Sequence, residues 1–197
     1  MAKKAPLTLE RTIGWILAVC GIIGFIAAFV LTIDKIHLIQ DPSYVPSCSI
    51  NPIISCGSVM KTAQSSVFGF PNSLIGIAGF AIISTIGMAL LAGARFKRWF
   101  WLCTQAGVVF GIAFVTWLQY QTLYSIGALC PYCMVVWSVM IPIFWYVTLY
   151  NIRTGNIRIK RGGGFLQRHH GEILLVWFLI ILGLILNRFW YYWSTLL

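Results

Sequence analysis

The stretch Cys130-Pro131-Tyr132-Cys133, followed at once by the apolar run Met134 to Tyr150, decides how the chain is read. Two cysteines separated by two residues fit one turn of helix, where their sulfurs can close and open a disulfide. Pro131 suits the first helical position, because its missing N–H would have no partner there. The partial positive charge of a helix N-terminus stabilises a thiolate, the nucleophilic form of cysteine. The run that follows is long enough to cross a bilayer, which takes about 20 residues of helix. A turn built for thiol chemistry therefore opens a membrane-spanning helix.

Outward from that turn, the composition agrees. The chain is 59% hydrophobic and only 9% charged, against roughly 25% charged residues in a soluble domain. Its mean hydropathy of +0.86 excludes a soluble core protein. The net charge of +10 does not form one patch and gives no nucleic-acid surface, because the basic residues sit in short clusters between apolar runs. Five such runs, near 12–33, 74–94, 99–122, 130–150 and 172–190, predict an all-α integral membrane protein. The expected architecture is a four-helix transmembrane bundle with a fifth transmembrane helix. The first run lacks the short apolar stretch and small-residue cleavage site of a signal peptide, and reads as a retained helix.

Charge placement orients the spans. Lys3, Lys4 and Arg11 precede the first; Arg95, Lys97 and Arg98 separate the second and third; Arg153, Arg158, Lys160, Arg161 and Arg168 separate the fourth and fifth. If the spans alternate, these eleven of the fourteen Lys and Arg share one side, leaving Lys35, Lys61 and Arg188 on the other. The positive-inside bias makes the first side cytoplasmic, with the N-terminus inside and a short tail outside. All of Cys48, Cys56, Cys130 and Cys133 then lie at the outer side, which in a bacterial cell is oxidising. The expected location is a bacterial cytoplasmic membrane.

Three units follow: residues 1–150 as the four-helix unit, a basic Gly-rich cytoplasmic linker over 151–171, and 172–197 as the fifth helix with a short tail. The outer loop, 34–73, opens with turn residues, so Asp34 and Asp41 read as solvated. Cys56, Val59, Met60 and Ala63 have the spacing of a short surface helix within Ser55 to Ser66. Gly162, Gly163 and Gly164 mark the linker as flexible.

The four outer cysteines form two pairs, as a relay by thiol–disulfide exchange requires. Two alternatives are open on the residues alone. Cys48 and Cys56 can staple the loop while Cys130 and Cys133 only pack, or the four can bind zinc. The seven residues between Cys48 and Cys56 fit a structural zinc site poorly. Cys20 and Cys103, toward the inner half, read as packing residues. His37, His169 and His170 give no convincing metal ligand or base, and no metal is expected.

Electrons reaching Cys133 need an acceptor, and no haem, flavin or nicotinamide motif is present. A quinone dissolved in the bilayer fits the place. Its site needs an apolar pocket, aromatic walls and one or two polar groups aimed at the quinone oxygens. Asn72 is a candidate donor, the alternative being a helix cap beside Pro71. Trp137, four residues after Cys133, shares its helical face and carries an indole N–H. Phe68, Phe70, Phe114, Trp117 and Tyr120 are candidate walls, the alternative being interfacial anchors.

Three segments, in order, carry a resemblance: Cys48-Ser-Ile-Asn-Pro-Ile-Ile-Ser-Cys56-Gly-Ser-Val, then Val67-Phe-Gly-Phe-Pro-Asn72-Ser-Leu-Ile-Gly76, then Cys130-Pro-Tyr-Cys133. Over about residues 12–150 the chain resembles the vitamin K epoxide reductase family, in its bacterial quinone-linked, disulfide-forming branch. The resemblance implies a four-helix bundle around a quinone of the menaquinone, ubiquinone or vitamin K type, capped by the loop cysteines and surface helix. It implies that Cys48 exchanges with the partner, Cys56 with Cys130, and that Cys133 faces the quinone. Asn72 matches the position that hydrogen-bonds a quinone oxygen. Trp137 stands where the animal enzymes have tyrosine, which weakens an epoxide as substrate and leaves a quinone reasonable; the alternative within the family is a vitamin K quinone/epoxide reductase in the strict sense. Some bacterial relatives continue into a thioredoxin-like domain; this chain stops at Leu197, so a separate DsbA-like thioredoxin-fold partner is expected. DsbB couples two cysteine pairs to quinone with the helix-start pair first in sequence, and here the loop pair comes first. The rival outside this chemistry is a non-catalytic scaffold or transporter with a stapled loop.

Overall fold

The computed structural model describes residues 7–51, 53–157 and 163–194. Lys3, Lys4, Pro52, Arg158, Lys160, Arg161, Gly162 and the last three residues of the tail, all used above, lie outside them. Five helices are long and apolar enough to cross a membrane: α1 (Leu7–Gln40), α3 (Ser73–Leu91), α4 (Arg98–Tyr120), α5 (Pro131–Arg153) and α7 (His170–Arg188). Between them lie the short helices α2 (Cys56–Met60), α6 (Gly163–Arg168) and α8 (Trp190–Trp193). The protein is an all-helical, multi-span membrane protein, as expected from its sequence.

Helix α1 runs seven residues past its expected end. Nothing in Asp34 to Gln40 breaks a helix, and the first stop is Pro42, which disfavours helical backbone in the residue before it. Asp41 there accepts from the backbone N–H and hydroxyl of Ser43, at 2.9 and 2.6 Å, closing a turn. The expectation of a solvated Asp34 is therefore corrected: the residue is on α1 and buried, 6% exposed.

The bundle is an open ring. Helix α1 packs along α3 and α5, and α5 packs along α4, but α3 and α4 scarcely touch. Small residues bring α1 and α3 together. A Cβ at Gly87 would collide with the Ala18 backbone, the close approach typical of membrane helices. The gap between α3 and α4 is left to a cavity described below.

The end of the bundle that carries the basic residues is closed by side-chain hydrogen bonds. Asn151, fully buried on α5, donates to Gln105 Oε1 at 3.0 Å and accepts from Asn156 Nδ2 at 2.9 Å. Arg98 donates twice to the Asn156 carbonyl, at 3.0 and 3.2 Å. Beyond it, the linker expected to be flexible is partly helical, α6 occupying Gly163–Arg168.

Helix α7 stands outside the ring. Only 6% of its apolar window is buried. Trp145 Nε1 donates to the His170 carbonyl at 3.0 Å, pinning its first turn to α5. Its last turn is held at the opposite end of the bundle.

Candidate active site

At the end opposite the basic network the helices are broken, and the breaks place the cysteines. Helix α4 widens into a π-helical turn, Gln121–Ile126, closed by Gly127 in the left-handed region at φ +69°. Glycine adopts that conformation without steric cost. Residues 128–130 then run extended beside the loop. Leu129 N–H donates to the Ile53 carbonyl at 2.6 Å and Ser55 N–H to the Leu129 carbonyl at 2.8 Å, a parallel bridge. Cys56 and Cys130 each follow this bridge directly. Each stands where a helix starts, so the register of one short bridge determines the meeting of the two sulfurs.

That meeting is close. Cys130 Sγ lies 3.3 Å from Cys56 Sγ, while Cys56 is bonded to Cys48. Cys48, Cys56 and Cys130 are all buried. A sulfur held at this distance is in reach for attack on a disulfide. Cys130 is the N-cap of α5 and Pro131 follows at its first position, as the sequence suggests. Cys130 Sγ accepts from the Cys133 backbone N–H at 3.4 Å. Hydrogen bonding from the Cys133 side chain, then from backbone N–H groups, holds the Cys130 thiol below its usual range against burial and the charge of Asp34. These hydrogen bonds stabilise the Cys130 thiolate relative to that of an ordinary thiol.

The loop is shaped around this contact by its own polar side chains. Asn51 Oδ1 accepts from the N–H groups of Ile53 and Ile54 at 3.0 and 2.7 Å. Ser55 caps α2 by accepting from Ser58 N–H at 3.2 Å. The expected surface helix over Ser55 to Ser66 divides into α2 and a 3-10 turn, Ala63–Ser66. The Thr62 hydroxyl takes the Val59 carbonyl at 2.7 Å, and Lys35 and Ser65 take that of Met60. Such side-chain partners compete with helix continuation.

Cys133, in contact with Cys130, also lies on the wall of a cavity of about 630 Å³ enclosed by α1, α3, α4 and α5. The cavity runs from Cys133 and Asn72 at the cysteine end to Trp99 and Cys103 toward the basic end. Its volume suits a small ligand and its lining is mainly apolar. Because α3 and α4 scarcely touch, the cavity is open between them.

Of the residues singled out for a pocket, Asn72, Phe114 and Trp137 line this cavity. Trp137 is buried, and no hydrogen bond engages its indole N–H among the described residues. Asn72 occupies the N-cap position of α3 but makes no cap bond, so the capping alternative does not hold. Its side chain pins the loop instead. Oδ1 accepts from Val67 N–H at 3.1 Å and Nδ2 donates to the Gln64 carbonyl at 2.7 Å. One amide hydrogen is left over. Phe68 and Phe70 stack on each other at 6.2 Å, and Phe68 reaches Phe114 at 5.7 Å. Trp117 stacks on Phe114 at 6.0 Å and Tyr120 pairs with Tyr124 at 5.0 Å. Phe68, Phe70, Trp117 and Tyr120 are exposed and lie outside the cavity lining. Cys103, expected to pack, is exposed on the cavity side of α4.

Two residues of α1 join the site without having been singled out. Asp34 Oδ1 accepts from Tyr44 at 3.1 Å, while Oδ2 is buried with no partner among the described residues. Lys35 lines the cavity and ties α1 to the loop through Ser65 Oγ at 2.9 Å. Charged residues at membrane depth are the available signal for both; ending the first span at residue 33 hides it. No group of three or more potential metal ligands occurs among the described residues.

The family model described as "Vitamin K epoxide reductase family" matches residues 15–148. No curated protein is matched by the chain.

Proposed function

The chain belongs to the vitamin K epoxide reductase family of membrane oxidoreductases, and from that membership we propose that it oxidises the dithiol of a DsbA-like thioredoxin-fold protein and passes the electrons to a membrane quinone. The observation that carries this reading is Cys130 Sγ at 3.3 Å from a disulfide-bonded Cys56, with Cys133 on the cavity wall. The loop pair faces a protein partner and the inner pair faces the bilayer interior. In this reading the cysteine end lies outside the cytoplasm of a bacterial cell, where the positive-inside bias places it.

The exchanges balance as follows. A partner thiolate attacks Cys48, breaking Cys48–Cys56 and releasing Cys56 as a thiolate. Cys56 attacks Cys130 of a Cys130–Cys133 disulfide, and Cys133 leaves as a thiolate toward the cavity. The partner's second thiolate closes its own disulfide and releases Cys48, which attacks Cys56 and frees Cys130. The partner has then lost two electrons and the inner pair has gained them, leaving Cys48–Cys56 closed and Cys130 and Cys133 reduced, the state in this structure.

A quinone bound in the cavity supplies a two-electron, two-proton acceptor. The residues present fit such a group: a mainly apolar slot lined by Cys133, Trp137 and Asn72, the last two carrying N–H groups that can donate to a quinone oxygen. Closing the Cys130–Cys133 disulfide then gives up both electrons, and Asn72 and Trp137 orient the acceptor.

The test is quinone reduction by purified protein driven by a reduced DsbA-like protein. Wild type is expected to turn over. Cys48→Ala should lose the protein-driven reaction yet keep some with DTT, which reaches the inner pair directly. A scaffold would tolerate Cys133→Ser and show no quinone-dependent thiol oxidation. For orientation, an impermeant maleimide should label Ser43→Cys and spare Lys160→Cys in intact cells; labelling of both would overturn the proposed sidedness.

A further inference from the structure

The fifth helix is mostly bare on its apolar faces, yet its last turn is held tightly. Arg188 Nε donates to the Leu123 carbonyl at 2.9 Å. Leu123 is buried, 1% exposed, within the π-helical turn Gln121–Ile126. Next to Arg188, Phe189 is fully buried and Ile185 nearly so, in one apolar cluster with Leu123 and Leu129. The Arg188 guanidinium also lies over the Phe189 ring, 5.9 Å from its centre. Carbonyls in the last turn of a helix run out of backbone donors and need another partner, the more so near a membrane.

We propose that the end of the fifth helix is a strut for the relay: Arg188, anchored by Phe189, holds the π-helical turn so that the chain leaving it pairs with the loop and sets Cys130 against Cys56. The path is short and continuous. Leu123 is four residues before the Gly127 turn. Leu129 follows, bonded to Ile53 and Ser55 at 2.6 and 2.8 Å, and Cys130 is next, 3.3 Å from Cys56. Arg188 touches neither sulfur and acts by position alone. The inference rests on the relay reading, since it assigns a residue to the contact through which that relay passes.

The step it governs is attack by one of these sulfurs on the other, and this can be isolated. In Cys48→Ala/Cys133→Ala, Cys56 and Cys130 are left as free thiols with no other partner at the site. Treated with diamide, which takes up two electrons and two protons per disulfide, they should close the Cys56–Cys130 bond. Thiol counting with a maleimide–polyethylene glycol follows its rate. Adding Arg188→Ala should slow closure at least about tenfold, because small misplacements of reacting atoms are costly. Arg188→Lys, which keeps one donor, should recover part of the rate. Phe189→Leu, a milder change in the same anchor, should slow closure less than Arg188→Ala. Leu182→Ala, on the exposed face of α7, should leave it unchanged. Thermal unfolding of each variant separates a lost fold from a lost register.

Closure in Arg188→Ala as fast as in the parent overturns the strut and leaves the relay standing. Equal slowing in Leu182→Ala also overturns it, since the effect would then be general loosening of α7. Failure of the parent itself to close removes the Cys56–Cys130 step, and the relay and the strut fall together. If Arg188→Ala fails to fold, Phe189→Leu and Arg188→Lys decide: closure at the parent rate in both overturns the proposal.

Discussion

The two ends of the bundle solve opposite problems. At the basic end, α4 and α5 are regular helices, and the half-buried Gln105 and Thr148 and the buried Asn151 and Asn156 satisfy one another. At the cysteine end almost every regular element is interrupted. Helix α4 opens into a π-turn, α2 stops after five residues, and backbone groups pair across a single bridge. Among the described residues, Asp34 Oδ2 and the Trp137 indole N–H have no hydrogen-bond partner. A saturated network has one low-energy arrangement and stays in it. Exchange between sulfurs needs atoms that can change partners, and the broken end supplies them. The mutually satisfied polar side chains lie at one end of the molecule and the paired sulfurs at the other.

The comparison predicts which substitutions cost activity and which cost only stability. The largest effect belongs to Cys133→Ala, which should reduce quinone turnover by at least about a hundredfold with either a protein dithiol or DTT, since no other thiol can complete the inner disulfide. Substantial DTT-driven activity in this variant would take Cys133 out of the electron path. Asn72→Ala should lower kcat/KM for quinone about tenfold, the equivalent of one hydrogen bond of roughly 1.4 kcal/mol. An unchanged value would mean that Asn72 only pins the loop.

Asn151→Ala tests the opposite end. It strands Oε1 of the half-buried Gln105 and Nδ2 of the buried Asn156 and should cost about 1–3 kcal/mol of stability. Turnover per folded molecule should match wild type. A matching loss of turnover in protein shown to be folded would mean that the two ends are coupled.

The smallest effect is a shift in pH dependence. Cys130 is held below the usual thiol range, so its thiolate should persist on acidification past the point where an ordinary thiol is protonated, and disappear only as pH falls through the lowered value. The largest cause is the hydrogen bond from the Cys133 side chain. The titration of Cys130, followed by thiolate absorbance with Cys20 and Cys103 replaced by serine, should therefore move back up in Cys133→Ala. No movement would assign the effect to the backbone donors instead.

Much of this molecule is legible without coordinates. Five apolar runs dictate five helices, because every backbone N–H and C=O in a bilayer must be paired within its own segment. Pro131 and the cysteine spacing place a thiol at a helix start, since capping is a matter of neighbours in sequence. What only the tertiary structure decided is long-range and turns on small displacements. Asp34, on a helix that nothing breaks before Pro42, is buried rather than solvated where Tyr44 hydrogen-bonds it. Asn72 became a loop clamp because Val67 and Gln64 come within its reach. The 3.3 Å meeting of Cys56 with Cys130 spans 74 residues of chain and depends on a bridge of two hydrogen bonds. Arg188 finds Leu123 across 65 residues. Local sequence determines which helices form and where they start, whereas the pairing of groups that far apart is set by the packing of the whole bundle.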